Sequence, residues 1–254
     1  MKRKLSEDTN HIVREIQTMR DCKHKYIVNF EECYNFEGTI TVVMEYCDGG
    51  TLKDLCNEVL LDETEVAHFC TQILLGLQYF HVKTKKVHRD IKAENILLNL
   101  NGDVRIADLG LIEQLEENGL KRISMVGTSY WMSPEMINIK PYDYKIDIWS
   151  LGCVCFELCC GSPPYHQLGS LAAMYNTATN GAPHLADTPE HKFSDEISDF
   201  LDNCFQTNPE LRPNSTELLK HPFLSQRNNI NMKSLQSKLE LVFIGSSLRM
   251  NGLI

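Results

Sequence analysis

Apolar positions recur along this chain with two different periods, in a definite order. Ile12, Ile16 and Met19 form a stripe at helical spacing with Ser6, Asp8 and Thr9 as candidate caps, so residues 6–21 read as a helix. Two strand-like runs follow, Tyr26 to Phe36 and Thr39 to Tyr46, joined around Glu37-Gly38 as a hairpin. Asp48-Gly49-Gly50 then breaks the pattern as a hinge would. Beyond it Val66, Phe69, Ile73, Leu77 and Phe80 recur at i+3/i+4 behind Asp62 and Glu65 at capping-box spacing, which predicts a long helix. Ile96-Leu97-Leu98 and Val104-Arg105-Ile106 flank Asn101-Gly102 and predict a short hairpin of buried strands. From Asp143 to Cys160 apolar residues run nearly all round, as in a helix at the centre of a helical lobe. Shorter helices are expected near 195–206 and 215–220. Met232, Leu235, Leu239, Val242 and Phe243 share one helical face in the tail, which reads as a docked helix or as a loose extension. The pattern implies an α+β fold: a small strand-containing lobe, a hinge, and a mainly α-helical large lobe.

Composition narrows the class. The 254 residues are 43% hydrophobic and 23% charged, as in a soluble globular protein. A net charge of −9 argues against nucleic acid as a partner. No apolar run approaches the ~20 residues a membrane span needs. Met1-Lys2-Arg3-Lys4 lacks the apolar stretch of a signal peptide, so a cytoplasmic protein is expected. Ten cysteines include Cys153, Cys155, Cys159 and Cys160 in one apolar segment; without paired CxxC spacing they read as reduced core thiols rather than a metal site.

The chemistry concentrates between residues 87 and 152. Val87-His88-Arg89-Asp90-Ile91-Lys92-Ala93-Glu94-Asn95 precedes the strand at Ile96, and Asp108-Leu109-Gly110 follows the second strand. Ser133-Pro134-Glu135 and Asp147-Ile148-Trp149-Ser150-Leu151-Gly152 come next. Each piece alone is a weak match; their order and spacing together are specific.

Over roughly residues 6–224 this series resembles the catalytic domain of eukaryotic protein serine/threonine kinases. Val43 to Gly50, Gly127 to Glu135 and His221-Pro222-Phe223-Leu224 are most similar to the sterile-twenty-like group, germinal-centre branch. The resemblance implies a two-lobe kinase fold, ATP and Mg²⁺ as cofactors, and protein substrates carrying Ser or Thr hydroxyls. It implies that Asp90 orients the hydroxyl and takes its proton, that Lys92 contacts the transferring phosphate, and that Thr128 bridges Asp90 and Lys92. Asn95 and Asp108 would be the oxygen ligands for Mg²⁺, a hard cation. Met44 would stand as gatekeeper, the backbone of Glu45 and Cys47 would bind the adenine edge, and Leu97 would floor the pocket. Leu109 stands where the family usually has Phe, and with Phe30, Met19 and His88 would stack as a spine over Asp147. Glu135 and Arg212 match the family's buried ion pair. Arg89 is a cation in a buried loop that needs a partner; the resemblance supplies a phosphate on Ser124, added by an upstream activating kinase or organised by a scaffold.

One departure matters. Glu15 falls where the family's C helix carries its glutamate, 29 residues before Met44. Its lysine partner belongs roughly fifteen to twenty residues earlier, behind a glycine-rich loop. Only fourteen residues precede Glu15, the first glycine is Gly38, and Lys2 and Lys4 lie too close to Glu15 to form a separate strand. Residues 1–47 are therefore expected to be a remnant small lobe of one helix and one hairpin, 48–224 the large lobe and 225–254 an extension. Three readings stay open: a kinase whose given sequence starts late, a pseudokinase acting as a protein-binding or allosteric module, or a lobe completed by a partner. The first is favoured, because Asp90, Lys92, Asn95 and Asp108 are all present.

Overall fold

A computed structural model describes residues 2–4, 9–37, 39–115, 124–185 and 193–250, and in it the two periods sort into two lobes. The small lobe differs from expectation at its start. Lys2–Lys4 form a strand, β1, followed after four residues by helix α1 (Thr9–Asp21). Strands β2 (Phe30–Phe36) and β3 (Thr39–Met44) make the expected hairpin. The sheet order is β1-β3-β2, with Lys2 opposite Thr41 and Lys4 opposite Thr39. The lobe is thus a three-stranded sheet with one helix rather than a lone hairpin, and that third strand matters because two strands alone are marginal in water. Ile40 and Val42 point from β3 onto the core that α1 shares through Ile12 and Met19. Of the candidate caps for α1, Ser6 and Asp8 lie outside the described residues, as does the turn glycine Gly38.

Tyr26–Val28, expected as the beginning of the first long strand, leave the sheet. They run beside Ile106 instead: Val28 N donates to Ile106 O at 3.0 Å and Ile106 N to Tyr26 O at 2.9 Å. That contact ties the small lobe to the hairpin that carries the chemistry.

The hinge ends in Gly50, at φ 75°, and in Thr51, which forms a capping box with Asp54 and starts α2 (Leu52–Glu58). The expected box of Asp62 and Glu65 starts α3 (Glu63–Gln78), which continues as a π-helical turn over Tyr79–Thr84. Strand β4 (Lys86–Val87) leads into the 88–95 loop, and β5 (Ile96–Leu98) pairs with β6 (Val104–Ile106) as the expected hairpin, with Ile96 opposite Ile106. Strand β7 (Glu113–Gln114) returns against β4. Helix α4 (Pro134–Ile137) precedes α5 (Lys145–Cys160), which is buried on all sides, as its sequence requires. Cys153, Cys155 and Cys159 fill core positions in α5, and all ten cysteines are free thiols. Helices α6 (Ser170–Asn180), α7 (Asp195–Cys204) and α8 (Ser215–Leu218) complete the large lobe.

The tail docks. Helix α9 (Met232–Met250) buries Leu235, Leu239 and Val242, and Lys238 Nζ reaches Glu65 Oε2 at 2.6 Å. Phe243, expected on the same face, is 39% exposed: one residue past Val242 it lies about 100° round the helix.

Candidate active site

The 88–95 loop hangs from a single buried carboxylate. Asp147, in the first turn of α5, accepts from the amides of His88 and Arg89 at 2.8 Å each and from His81 Nε2 at 2.9 Å. Burial alone would raise its carboxyl, but the hydrogen bonds from His81 and the His88 amide hold it below the usual carboxylate range. His88 is fully buried and its imidazole is pushed down by desolvation, so it stays neutral and meets Ala107 O at 3.2 Å. Met19 and Leu109 are buried in one core with Phe30 packed against it; Leu109 fills the slot for which Phe was the expected residue.

The loop brings Asp90 and Lys92 to one point, where Thr128 meets them. Thr128 donates to Asp90 Oδ1 at 2.7 Å, Lys92 Nζ lies 2.9 Å from Asp90 Oδ2, and Lys92 Nζ donates to Thr128 Oγ1 at 2.8 Å. Burial would raise the Asp90 carboxyl; the hydrogen bonds from Thr128 and Lys92 and the lysine charge outweigh it and hold Asp90 low. Asp90 is therefore an ionised acceptor with one edge oriented by its neighbours. Gly127 makes the approach of Thr128 possible. At φ 112° it passes so close to the loop that a β-carbon there would meet Arg89 O at 2.5 Å.

Asn95 Nδ2 donates to both Asp90 O and Asp90 Oδ2 at 2.9 Å, so among the described residues its amide oxygen is the acceptor left for a ligand. Asp108 is exposed and follows β6 with φ 56°. A methyl group on Gly110 would sit 3.3 Å from Asp108 Oδ1 and 3.5 Å from Glu15 Oε1, so α1 brings the buried Glu15 carboxylate to the same corner. An amide oxygen and a solvent-facing carboxylate are hard donors that fit a Mg²⁺ ion and its phosphates.

Opposite this corner the hinge is tied down by its side chains. Glu45 takes Arg105 Nε at 2.8 Å and Asn29 Nδ2 at 2.8 Å, and its own amide donates to Asn29 O at 2.9 Å, so of its polar groups the backbone carbonyl is what remains for a ligand among the described residues. Burial pushes the Cys47 thiol up to about 11, which keeps it protonated and apolar. Gly49 N donates to Leu98 O at 2.8 Å and Leu98 N to Gly50 O at 2.9 Å, setting Leu97 against the hinge; Met44 is half-buried beside the core.

Arg89 has partners that sequence reasoning missed. Its Nε donates to Leu111 O at 2.6 Å, and its terminal nitrogens reach Glu113 Oε2 at 3.3 Å and Tyr142 OH at 3.4 Å. Ser124 touches this cluster indirectly, its Oγ 2.7 Å from Tyr142 OH. No periodicity marks Glu113 or Tyr142; a carboxylate on a short strand after Asp108-Leu109-Gly110 was the only available signal. The buried pair expected of Glu135 and Arg212 is bidentate, at 2.7 and 3.1 Å.

Residues 1–224 match the family model described as the protein kinase domain. The chain is 46% identical over 215 residues to a protein of Candida glabrata named serine/threonine-protein kinase STE20, covering 85% of this chain and 23% of that one. It is 44% identical to serine/threonine-protein kinase shk1/pak1 of Schizosaccharomyces pombe, covering 85% and 32%, and to serine/threonine-protein kinase pakA of Talaromyces marneffei, covering 84% and 33%. The chain thus spans about a quarter to a third of the length of these curated relatives.

Proposed function

Because the chain belongs to the protein kinase family, we propose that it transfers the γ-phosphate of ATP to serine or threonine hydroxyls of protein substrates. The closed triangle of Asp90, Lys92 and Thr128 carries this reading. Phosphoryl transfer asks the protein for a positioned hydroxyl and neutralised phosphate charge. Asp90, held ionised, orients the incoming hydroxyl and accepts its proton. Lys92, already within 3 Å of both partners, offers its remaining N–H donor to the moving phosphate. Thr128 fixes the distance between them and with it the seat for the substrate chain.

Asn95 and Asp108 are the residues that would hold Mg²⁺, with Glu15 at the same corner. Bound magnesium supplies charge neutralisation on the phosphates. Met44, the Glu45 and Cys47 backbone and Leu97 form the adenine side. The named relatives support the sterile-twenty-like group; the germinal-centre branch rests on the stretches at 43–50 and 127–135. Among the described residues no helix is long and apolar enough to cross a membrane; a cytoplasmic kinase with protein partners fits that and the −9 charge.

Asp90→Asn keeps the size and most hydrogen bonds of the site and removes the base. It should lower transfer by about 10²–10⁴-fold with an unchanged circular dichroism spectrum; wild-type rates in the variant would refute the assignment. Phosphate on Ser124, one hydroxyl away from Arg89, would add anionic oxygens beside a guanidinium and order this segment. Ser124→Ala should then slow protein that has been incubated with an activating kinase, and equal rates would remove the switch.

A further inference from the structure

Arg89 connects the two halves of the site. Its backbone belongs to the loop that presents Asp90, while its side chain grips the segment that follows Asp108. The guanidinium is only 10% exposed, and a cation at that depth needs an anion. The anion in this structure is a residue of the chain itself. Glu113 lies in β7 directly opposite Val87 of β4, the residue before His88, so the strand pair fixes the carboxylate beside the loop. The neighbouring Leu111 carbonyl takes Nε at 2.6 Å, and Tyr142, itself buried, takes the other end of the guanidinium. Arg89 also holds a left-handed backbone, φ 73°, that a non-glycine residue keeps only where its surroundings enforce it.

We propose that Glu113 is a positioning residue: an internal carboxylate that braces Arg89, and through it the Asp90 loop, with no phosphate on the activation segment. The proposal rests on the kinase reading for its effect on rate, but the brace itself is independent of it. Among the described residues, loss of Glu113 would leave the Arg89 side chain to a carbonyl and a phenol, neither of which balances its charge, and both the Asp90 loop and the turn after Asp108 would loosen.

The test uses the full chain after phosphatase treatment, as wild type, Glu113→Gln and Glu113→Asp. Two quantities are measured: kcat and KM for ATP with a serine peptide, and amide hydrogen exchange over residues 87–91. Glu113→Gln should reduce kcat by about fivefold, the size a partly exposed ion pair supports, at unchanged KM, and should speed exchange several-fold. Glu113→Asp, which keeps the charge, should recover at least half of both. Glu113→Gln within twofold of wild type in both quantities overturns the proposal. Equal losses in Gln and Asp variants, with equally lowered melting temperatures, also overturn it, since that is the signature of a strand position without a charge role. If the wild-type chain transfers no phosphate, the kinase reading is what fails. Exchange then decides alone: faster exchange in Gln than in Asp supports the brace, and no difference between them overturns it.

Discussion

Gly127 shows how narrow the tolerances of the site are. Its φ of 112° is costly for any residue with a side chain, and its missing β-carbon is what lets the Arg89 carbonyl pass. Gly127→Ala must displace either the Asp90 loop or Thr128. It should cost roughly 2 kcal/mol of stability and most of the transfer rate, read by thermal melting and initial velocities; an active variant with a native melt would show that the close approach is not needed. At this scale much was legible in advance. Asp90, Lys92, Asn95, Asp108 and Thr128 stand in a fixed order along the chain, and each carries its chemistry in its own side chain. Glu113 and Tyr142 were not legible, because their roles come from being placed next to Arg89 by a two-residue strand and by the chain entering α5.

Elements were readable where their apolar residues keep a period. α3, the β5–β6 hairpin and α5 follow their patterns closely. α6 escaped notice because it buries only Ala173 and Thr177, too little for a stripe, and seven-residue α2 is too short to show one. The nearness of Lys2 and Lys4 to Glu15 argues against a separate strand there, yet β1 ends at Lys4 and α1 begins at Thr9. The sequence of the tail is compatible with a docked or a loose helix, since its apolar face gives no hint of what it covers. Its contacts answer that: Leu235 and Met232 press on the turn at Gly102, and Lys238 holds Glu65 and Leu60 O. Leu239→Ala removes a fully buried side chain from this seam and should cost about 2–5 kcal/mol. A denaturant midpoint shifted by less than the equivalent of 1 kcal/mol would mean that α9 lies loosely on the lobe.

For the whole molecule, buried titratable groups set the response to pH. Burial lowers the imidazoles of His24, His68 and His88, so the unfolded chain binds their protons first and stability falls as pH drops below about 6.5. Asp90 and Asp147 are held low; their stabilisation is complete above about 4 and is lost as pH falls through their folded values. Glu157, raised by burial, works in the opposite sense. The lowered histidines predict a melting temperature that declines from pH 6.5 to 5, and the two aspartates a steeper decline below 4. A rise between 6.5 and 5 would show that folding does not hold these histidines neutral. The large lobe as a whole was the most readable part of the chain, because burial on all sides of α5 leaves few alternative arrangements.

The central claim is that these residues together transfer phosphate to alcohol side chains. The most direct test is to incubate the full chain with γ-labelled ATP, Mg²⁺ and a mixed protein substrate and to identify the labelled amino acids after hydrolysis. Label is expected on serine and threonine, dependent on Mg²⁺ and absent with Asp90→Asn. Label confined to tyrosine, or none above the Asp90→Asn background, would contradict it.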